Sequence, residues 1–314
     1  MKPKLRQLLD RVQTLTAEGH KPMTLLAVCP NSPAVIKAAF RAAKRNNAPI
    51  MFAATLNQVD NDGGYTGMTQ KDFVRVMKVE AKRNNYTGPY IAAIDHGGPW
   101  LKDIQTLEMW PYEKAMDGVK KSYEAALLAG YELIHVDPTV DRFLPKGETI
   151  KIEVVAERTI ELITHIENFR KKRGLDPIAY EVGTEEVHGG LADETVFRKF
   201  LVLLKEGLEK NGCAEAWPCF VVGKVGTDLH TTFFDPAVAK DLTSIVAEYG
   251  SFIKGHYTDD VENPQDYPVC RMGAANVGPE FTISEYRALC ELEQLERKFH
   301  ARGQVGVMSR MKDA

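Results

Sequence analysis

The chain has 314 residues, 44% hydrophobic and 26% charged, with a formal net charge of −3. A globule of this length and ordinary composition buries roughly three quarters of its unfolded surface, so it needs no disulfide or metal to stand. The near-balanced charge gives no electrostatic case for nucleic acid, whose binding needs a clustered positive field, and no run of about 18 apolar residues is present to span a membrane.

The five cysteines, Cys29, Cys213, Cys219, Cys270 and Cys290, are odd in number and form no CxxC pair, which predicts reduced thiols; a Cys213–Cys219 pair is the alternative. Lys2, Lys4 and Arg6 lead into QLLDRVQTLTAEGHK, which is amphipathic and cannot serve as a signal-peptide core. The expectation is a cytoplasmic protein whose residues 1–22 form a helix capping the fold.

From there, short apolar runs alternate with segments of helical period. Strands are predicted at 23–29, 49–55, 90–96, 132–137, 178–183, 219–223, 252–256 and 271–277. Helices are predicted at 33–45, 113–129, 149–174, 194–210, 236–248 and 282–301, and near 69–84, where Thr69 and Asp72 form a capping-type start. Near-continuous apolar strands suit a parallel sheet covered by helices. Eight strand–helix repeats without a long linker predict one (β/α)8 TIM barrel over residues 1–314, with 302–314 as a C-terminal tail. The rival, an open doubly wound sheet, calls for a glycine-rich first βα loop, and AVCPNSPAV has no glycine.

A barrel of this kind carries its chemistry at the carboxyl ends of its strands. Asn57 and Gln58 follow the second strand, and Asp95 with His96 closes the third. Asp137 closes the fourth, Glu185 and Glu186 follow the fifth, and His230 lies beyond the sixth. His256 closes the seventh and Asn276 lies near the end of the eighth. Three imidazoles, His96, His230 and His256, beside a carboxylate such as Glu185 are what a catalytic divalent site needs; zinc fits best, and manganese or cobalt would also be accommodated. A single histidine at a strand end is more often a satisfied polar residue, so the reading rests on co-location. His135, inside a strand, is read as a core or interior-layer histidine. In NQVDNDGGYTGMTQKDF, glycines 63, 64 and 67 allow unusual backbone shapes, and the length of the loop favours one that covers substrate, with Tyr65 over the ligand.

The segments NQVDNDGGYTGMT, AIDHGGPW, IHVDPTV, VGTEE, DLH, GHYTDD and NVGPEFT occur in an order that resembles the non-catalytic subunit of class II D-tagatose-1,6-bisphosphate aldolase, a family also labelled tagatose-6-phosphate kinase. That family is similar in turn to class II fructose-bisphosphate aldolases, which are zinc-dependent barrels. The resemblance implies metal ligands at His96, Glu185, His230 and His256, an acid/base aspartate at Asp95 and a substrate-contacting asparagine at Asn276. It also implies a sugar or sugar-phosphate substrate, an aldolase catalytic subunit as partner, and a homo-oligomer as the prior for barrel enzymes.

Two features depart from the family labels. No GxxxxGK[ST] or kinase-type loop is present. His256 is followed by Tyr257, Thr258, Asp259 and Asp260, whose acids would repel a phosphate where class II aldolases place glycines and serines; Arg142, Lys146, Lys224 or Arg271 would then have to hold one. Asp259 joins Asn57, Gln58, Tyr65, Asp137 and Asn276 as a candidate substrate contact. Some members of the family look like stand-alone enzymes that epimerise a ketohexose or its 6-phosphate at C4. With the intact ligand set and Asp95, the resemblance implies a metal-dependent ketose 4-epimerase of that kind, working by retro-aldol and aldol steps, with Glu186 as a second acid/base candidate. The alternatives are a non-catalytic stabilising subunit and an aldolase that releases its fragments.

Overall fold

The computed structural model describes residues 2–145, 147–183, 194–228, 231–299 and 306. The expected metal ligands Glu185 and His230, the acid/base candidate Glu186, His188, Lys146 and most of the 302–314 tail lie outside the described residues.

Eight parallel strands close into one barrel in sequence order: β1 Leu25–Val28, β2 Ile50–Thr55, β3 Tyr90–Gly97, β4 Leu133–Val136, β5 Ala179–Gly183, β6 Phe220–Val222, β7 Phe252–Gly255 and β8 Ala274–Val277. β8 returns to β1 with Leu25 beside Ala274, which completes the closure. The predicted TIM barrel is therefore observed. Helices wrap it: α1 Lys4–Ala17, α2 Pro33–Arg45, α3 Gln70–Arg83, α4 Asp103–Leu107, α5 Tyr112–Ala129, α6 Ile152–Arg173, α7 Glu194–Lys210, α8 Pro236–Glu248, α9 Asp266–Val269 and α10 Pro279–Phe299.

Local chemistry sets these boundaries. Ser32 and Asp235 cap α2 and α8, each with proline at the first helical position, and Thr69 with Asp72 closes a reciprocal capping box on α3. α5 and α6 end at Gly130 and Gly174, both left-handed, as helix ends favour. The last strand starts three residues later than predicted. Arg271 has a φ of 59° and Met272 N–H bonds back to Tyr267, so 271–272 finish the α9 turn instead, and Gly273 leads into the strand with bonds to Ile253 and Leu25. Among the described residues no helix is long and apolar enough to cross a membrane. None of the five cysteines is in a disulfide, so Cys213 and Cys219 do not pair.

Two apolar layers frame the site. One lies between the outer faces of the strands and the helices, around Phe40, Phe52, Tyr123, Leu162 and Phe200. The other fills the barrel from its amino end, where Leu5 and Leu9 of α1 meet Met51, Ile91, Leu133 and Ala179. Side chains on a strand alternate between faces, so the inward positions two residues further on belong to the next layer up. There the sequence changes character. Ala93 is followed by Asp95, Leu133 by His135, Ala179 by Glu181, Phe252 by Lys254 and Ala274 by Asn276. All five are buried polar groups on an apolar plug.

Candidate metal site

Asp95 and His96 are consecutive, and a regular strand would point them to opposite faces. The pairing of β3 with β4 shifts register between Ile94 and Gly97, and His96 takes a left-handed φ of 46°. This bulge turns both side chains toward the mouth. It persists because its surroundings over-determine it: the Tyr123 hydroxyl and the Asp137 N–H both donate to the Gly97 carbonyl, at 2.6 and 2.7 Å. The next residue has to be glycine, since a Cβ on Gly98 would sit 1.8 Å from the Asp137 carbonyl oxygen.

The two described histidines of the expected ligand set meet head on. His96 Nε2 lies 2.8 Å from His256 Nδ1. On its other side His96 Nδ1 faces Asp137 Oδ2 at 2.6 Å, and His256 Nε2 faces Glu181 Oε1 at 2.8 Å. Both carboxylates are ionised. Burial would raise Glu181, but the Lys254 ammonium and the bond from His256 outweigh it and bring its pKa down to about 2. Asp137 is likewise held far below the usual range, because its bond to His96 overcomes the cost of burial. An ionised carboxylate only accepts, so the ring nitrogen facing it carries the proton. The two nitrogens left facing one another across 2.8 Å then need a cation to share: a proton, which makes one ring an imidazolium, or a divalent metal ion held by both. Metal-binding histidines are generally oriented by a carboxylate on the far nitrogen in this way.

Asp95 completes the group. Ligand atoms of Asp95, His96, His135 and His256 all lie within 4.8 Å of one another. Asp95 Oδ1 accepts from Asn276 Nδ2 at 2.8 Å and lies 3.7 Å from Lys254 Nζ. Burial opposes its ionisation, yet His256, Lys254 and His96 hold it well below the ordinary aspartate range, leaving a carboxylate at neutral pH. His135 is inside the barrel, as its place in the strand suggests, and it also supports the site: its Nδ1 accepts the His96 N–H at 3.1 Å, fixing the bulge.

Sequence reasoning passed over Glu181 and Lys254. Lys254 Nζ contacts both Glu181 oxygens, at 2.8 and 2.6 Å, and both side chains are wholly buried. Among the described residues, the β5 carboxylate that meets the histidines is thus Glu181. The available signal was a lone charge inside an otherwise apolar strand, in IAYEVG and FIKGH, since lysine and glutamate are almost never fully buried unless paired.

A cavity of about 430 Å³ opens above the group, lined by Asp95, His96, His256 and Asn276 at its base. Gln58, Tyr65 and Asp259, three of the other expected substrate contacts, also line it. Gln58 Nε2 and the Tyr65 hydroxyl both donate to Asn31 Oδ1, at 2.6 and 2.9 Å. The glycine loop that presents Tyr65 folds back on itself: Tyr65 N–H bonds the Asn57 carbonyl, and a Cβ on Gly64 would lie 2.5 Å from the Gln58 carbonyl. Two expected contacts have other duties. The Asn57 amide is taken up by Leu101 and Asp103 at the start of α4, and Asp137 is committed to His96 and Thr139. Of the cationic candidates for phosphate, Arg271 is at the wrong end of the barrel, where it lines a cleft with Leu9 and Met23 of the amino-terminal side. Arg142 is exposed, with its guanidinium against Met109.

Comparison with solved structures finds the same barrel fold in other proteins. A protein from Sinorhizobium meliloti 1021 described as a probable tagatose 6 phosphate kinase superposes with a TM-score of 0.75 at 24% identity, over 90% of this chain and 72% of that one. A fructose-bisphosphate aldolase from Campylobacter jejuni superposes with a TM-score of 0.65 at 15% identity, over 96% of this chain and 83% of that one. At these identities the likeness is one of fold. The sequence itself goes further, because residues 9–313 match a single family over nearly the whole chain. The protein belongs to the D-tagatose-1,6-bisphosphate aldolase subunit GatZ/KbaZ-like family.

Proposed function

We propose that the protein is a divalent-metal-dependent enzyme that opens and re-forms the C3–C4 bond of a ketohexose, epimerising C4. The observation that carries the reading is the pair of facing imidazole nitrogens, each ring backed by a carboxylate. His96 and His256 would hold the ion, with Glu185 and His230 as the remaining ligands. Zinc suits such nitrogen and carboxylate donors, and manganese or cobalt is compatible. A divalent cation there supplies Lewis acidity, drawing charge from the ketose carbonyl as the bond opens.

The residues of the chain do the rest. Asp95, ionised and steadied by Asn276, accepts the C4 hydroxyl proton. The C3–C4 bonding pair then moves onto the three-carbon enediolate and leaves an aldehyde at C4. The cavity holds both pieces while the aldehyde turns its other face to C3. The bond re-forms, and Asp95 returns the proton to the new C4 oxygen. Nothing is consumed, as an isomerisation requires.

Family membership favours a second reading, in which the chain stabilises a separate tagatose-bisphosphate aldolase and has no turnover of its own. Metal analysis of the purified chain, followed by incubation with ketohexoses, separates the two. A stoichiometric divalent ion, turnover by the chain alone, and loss of turnover with metal retained in Asp95→Asn support the enzyme. A metal-free, inert chain that raises the yield or lifetime of an aldolase partner supports the subunit reading and ends the first.

A further inference from the structure

In TIM barrels a phosphate group of the substrate is commonly seated by the loops after strands 7 and 8 and the amino terminus of a helix there, where free backbone N–H groups and the helix dipole attract an anion. In this chain that place is already filled. Asp259, four residues beyond β7, directs Oδ1 at the amides of Gly278 and Glu280, at 2.9 and 2.8 Å, at the start of α10. Pro279 between them has no N–H, and the next two amides, of Phe281 and Thr282, both turn to the Gly278 carbonyl. The first turn of α10 therefore has no donor left to offer.

Charge points the same way. Among the described residues no lysine or arginine lines the cavity, and Lys254, below it, is wholly buried against Glu181. Asp260 and Glu280 lie behind Asp259, the Asp260 N–H donating to Glu280 at 2.9 Å. Burial, with these two acids, raises the Asp259 carboxyl above its ordinary pKa despite the two amides it accepts. A second anion brought to this spot would meet an occupied seat and three like charges. On the wall near Asp259 stands an uncharged hydrogen-bonding cluster: Asn31 donates to Thr282 at 2.5 Å and accepts from Gln58 and Tyr65. Such amides and hydroxyls match the hydroxyl groups of a sugar.

From this geometry we propose that Asp259 is a built-in occupant of the anion seat, so that the cavity selects an uncharged polyhydroxy ketone and rejects its terminal phosphate ester. The inference rests on the ketohexose reading of the same cavity and names its substrate class.

The test has two arms. In the first, kcat/KM of the purified wild-type chain is measured on a neutral ketohexose and on its 6-phosphate, and the neutral sugar is expected to lead by about tenfold or more. In the second, inorganic phosphate is titrated calorimetrically into wild type, Asp259→Asn and Asp259→Gly. The glycine variant frees both amides and removes the charge, so it binds phosphate at least about tenfold more tightly than wild type. The asparagine variant, which keeps an amide oxygen as cap, falls between them. A wild type that prefers the 6-phosphate, or that binds phosphate as tightly as Asp259→Gly, overturns the proposal. If no sugar is turned over, the ketohexose reading has failed, and the phosphate titration still decides whether Asp259 fills the seat.

Discussion

Replacing Lys254 by methionine tests whether the floor of the site is a dry, ionised network. Methionine keeps an unbranched chain of similar reach but removes the only ammonium that touches Glu181 among the described residues. Glu181 would remain wholly buried, with Asp95 close by and no cation between them. Breaking a buried pair by deleting one partner costs about 3–5 kcal/mol, because the remaining charge has lost its water and its counter-ion and keeps only the His256 N–H. With about 2.1 cal/mol/K of unfolding entropy per residue, the 314-residue chain then loses roughly 5 to 8 °C of Tm. Glu181→Gln should be milder, since Lys254 keeps Asp95 at 3.7 Å as a counter-charge. The double variant Lys254→Met/Glu181→Gln should recover at least about half of the Lys254→Met loss, because contacting residues are not additive. Urea unfolding of chelator-treated protein gives these differences free of stabilisation by bound metal. A Lys254→Met variant within about 1 kcal/mol of wild type would refute the reasoning, showing that Glu181 is neutral or hydrated.

Two further outcomes follow from the same contacts. Asp137→Asn removes the carboxylate that fixes the His96 ring, so metal affinity, measured by competition with a chelating dye, should fall about 10- to 100-fold with little change in far-ultraviolet dichroism; unchanged affinity would remove Asp137 from the orienting role. Glu181, with a pKa of about 2 against the ordinary 4.5, adds stability that is complete above pH 4.5 and disappears as the pH falls toward 2. That share is on the order of 3 kcal/mol, and Glu181→Gln should flatten the corresponding part of the acid-unfolding curve; an identical curve for the variant would contradict the assignment.

The barrel was legible in the sequence because its signal is local and repeated. Strand runs and helix caps such as Ser32–Pro33 and Thr69–Asp72 are written in neighbouring residues, so predicted and observed elements differ mainly at their ends. The clustering of Asp95, His96 and His256 at the mouth was legible too, since a parallel barrel brings all carboxyl ends of its strands to one rim. The short helices α4 and α9 and the late start of β8 were not, because turns that close on tertiary contacts carry little periodicity of their own.

By itself, then, the sequence determined the barrel, its reading direction and the kinds of side chain gathered at its mouth, for these follow from periodicity along the chain. Only the tertiary structure decided the pairings across it: Glu181 with Lys254, Asp137 with His96, and Asp259 with the first amides of α10. Partners such as Glu181 and Lys254 stand 73 residues apart. Their meeting is fixed by the register and closure of the sheet, which no window of neighbouring residues encodes.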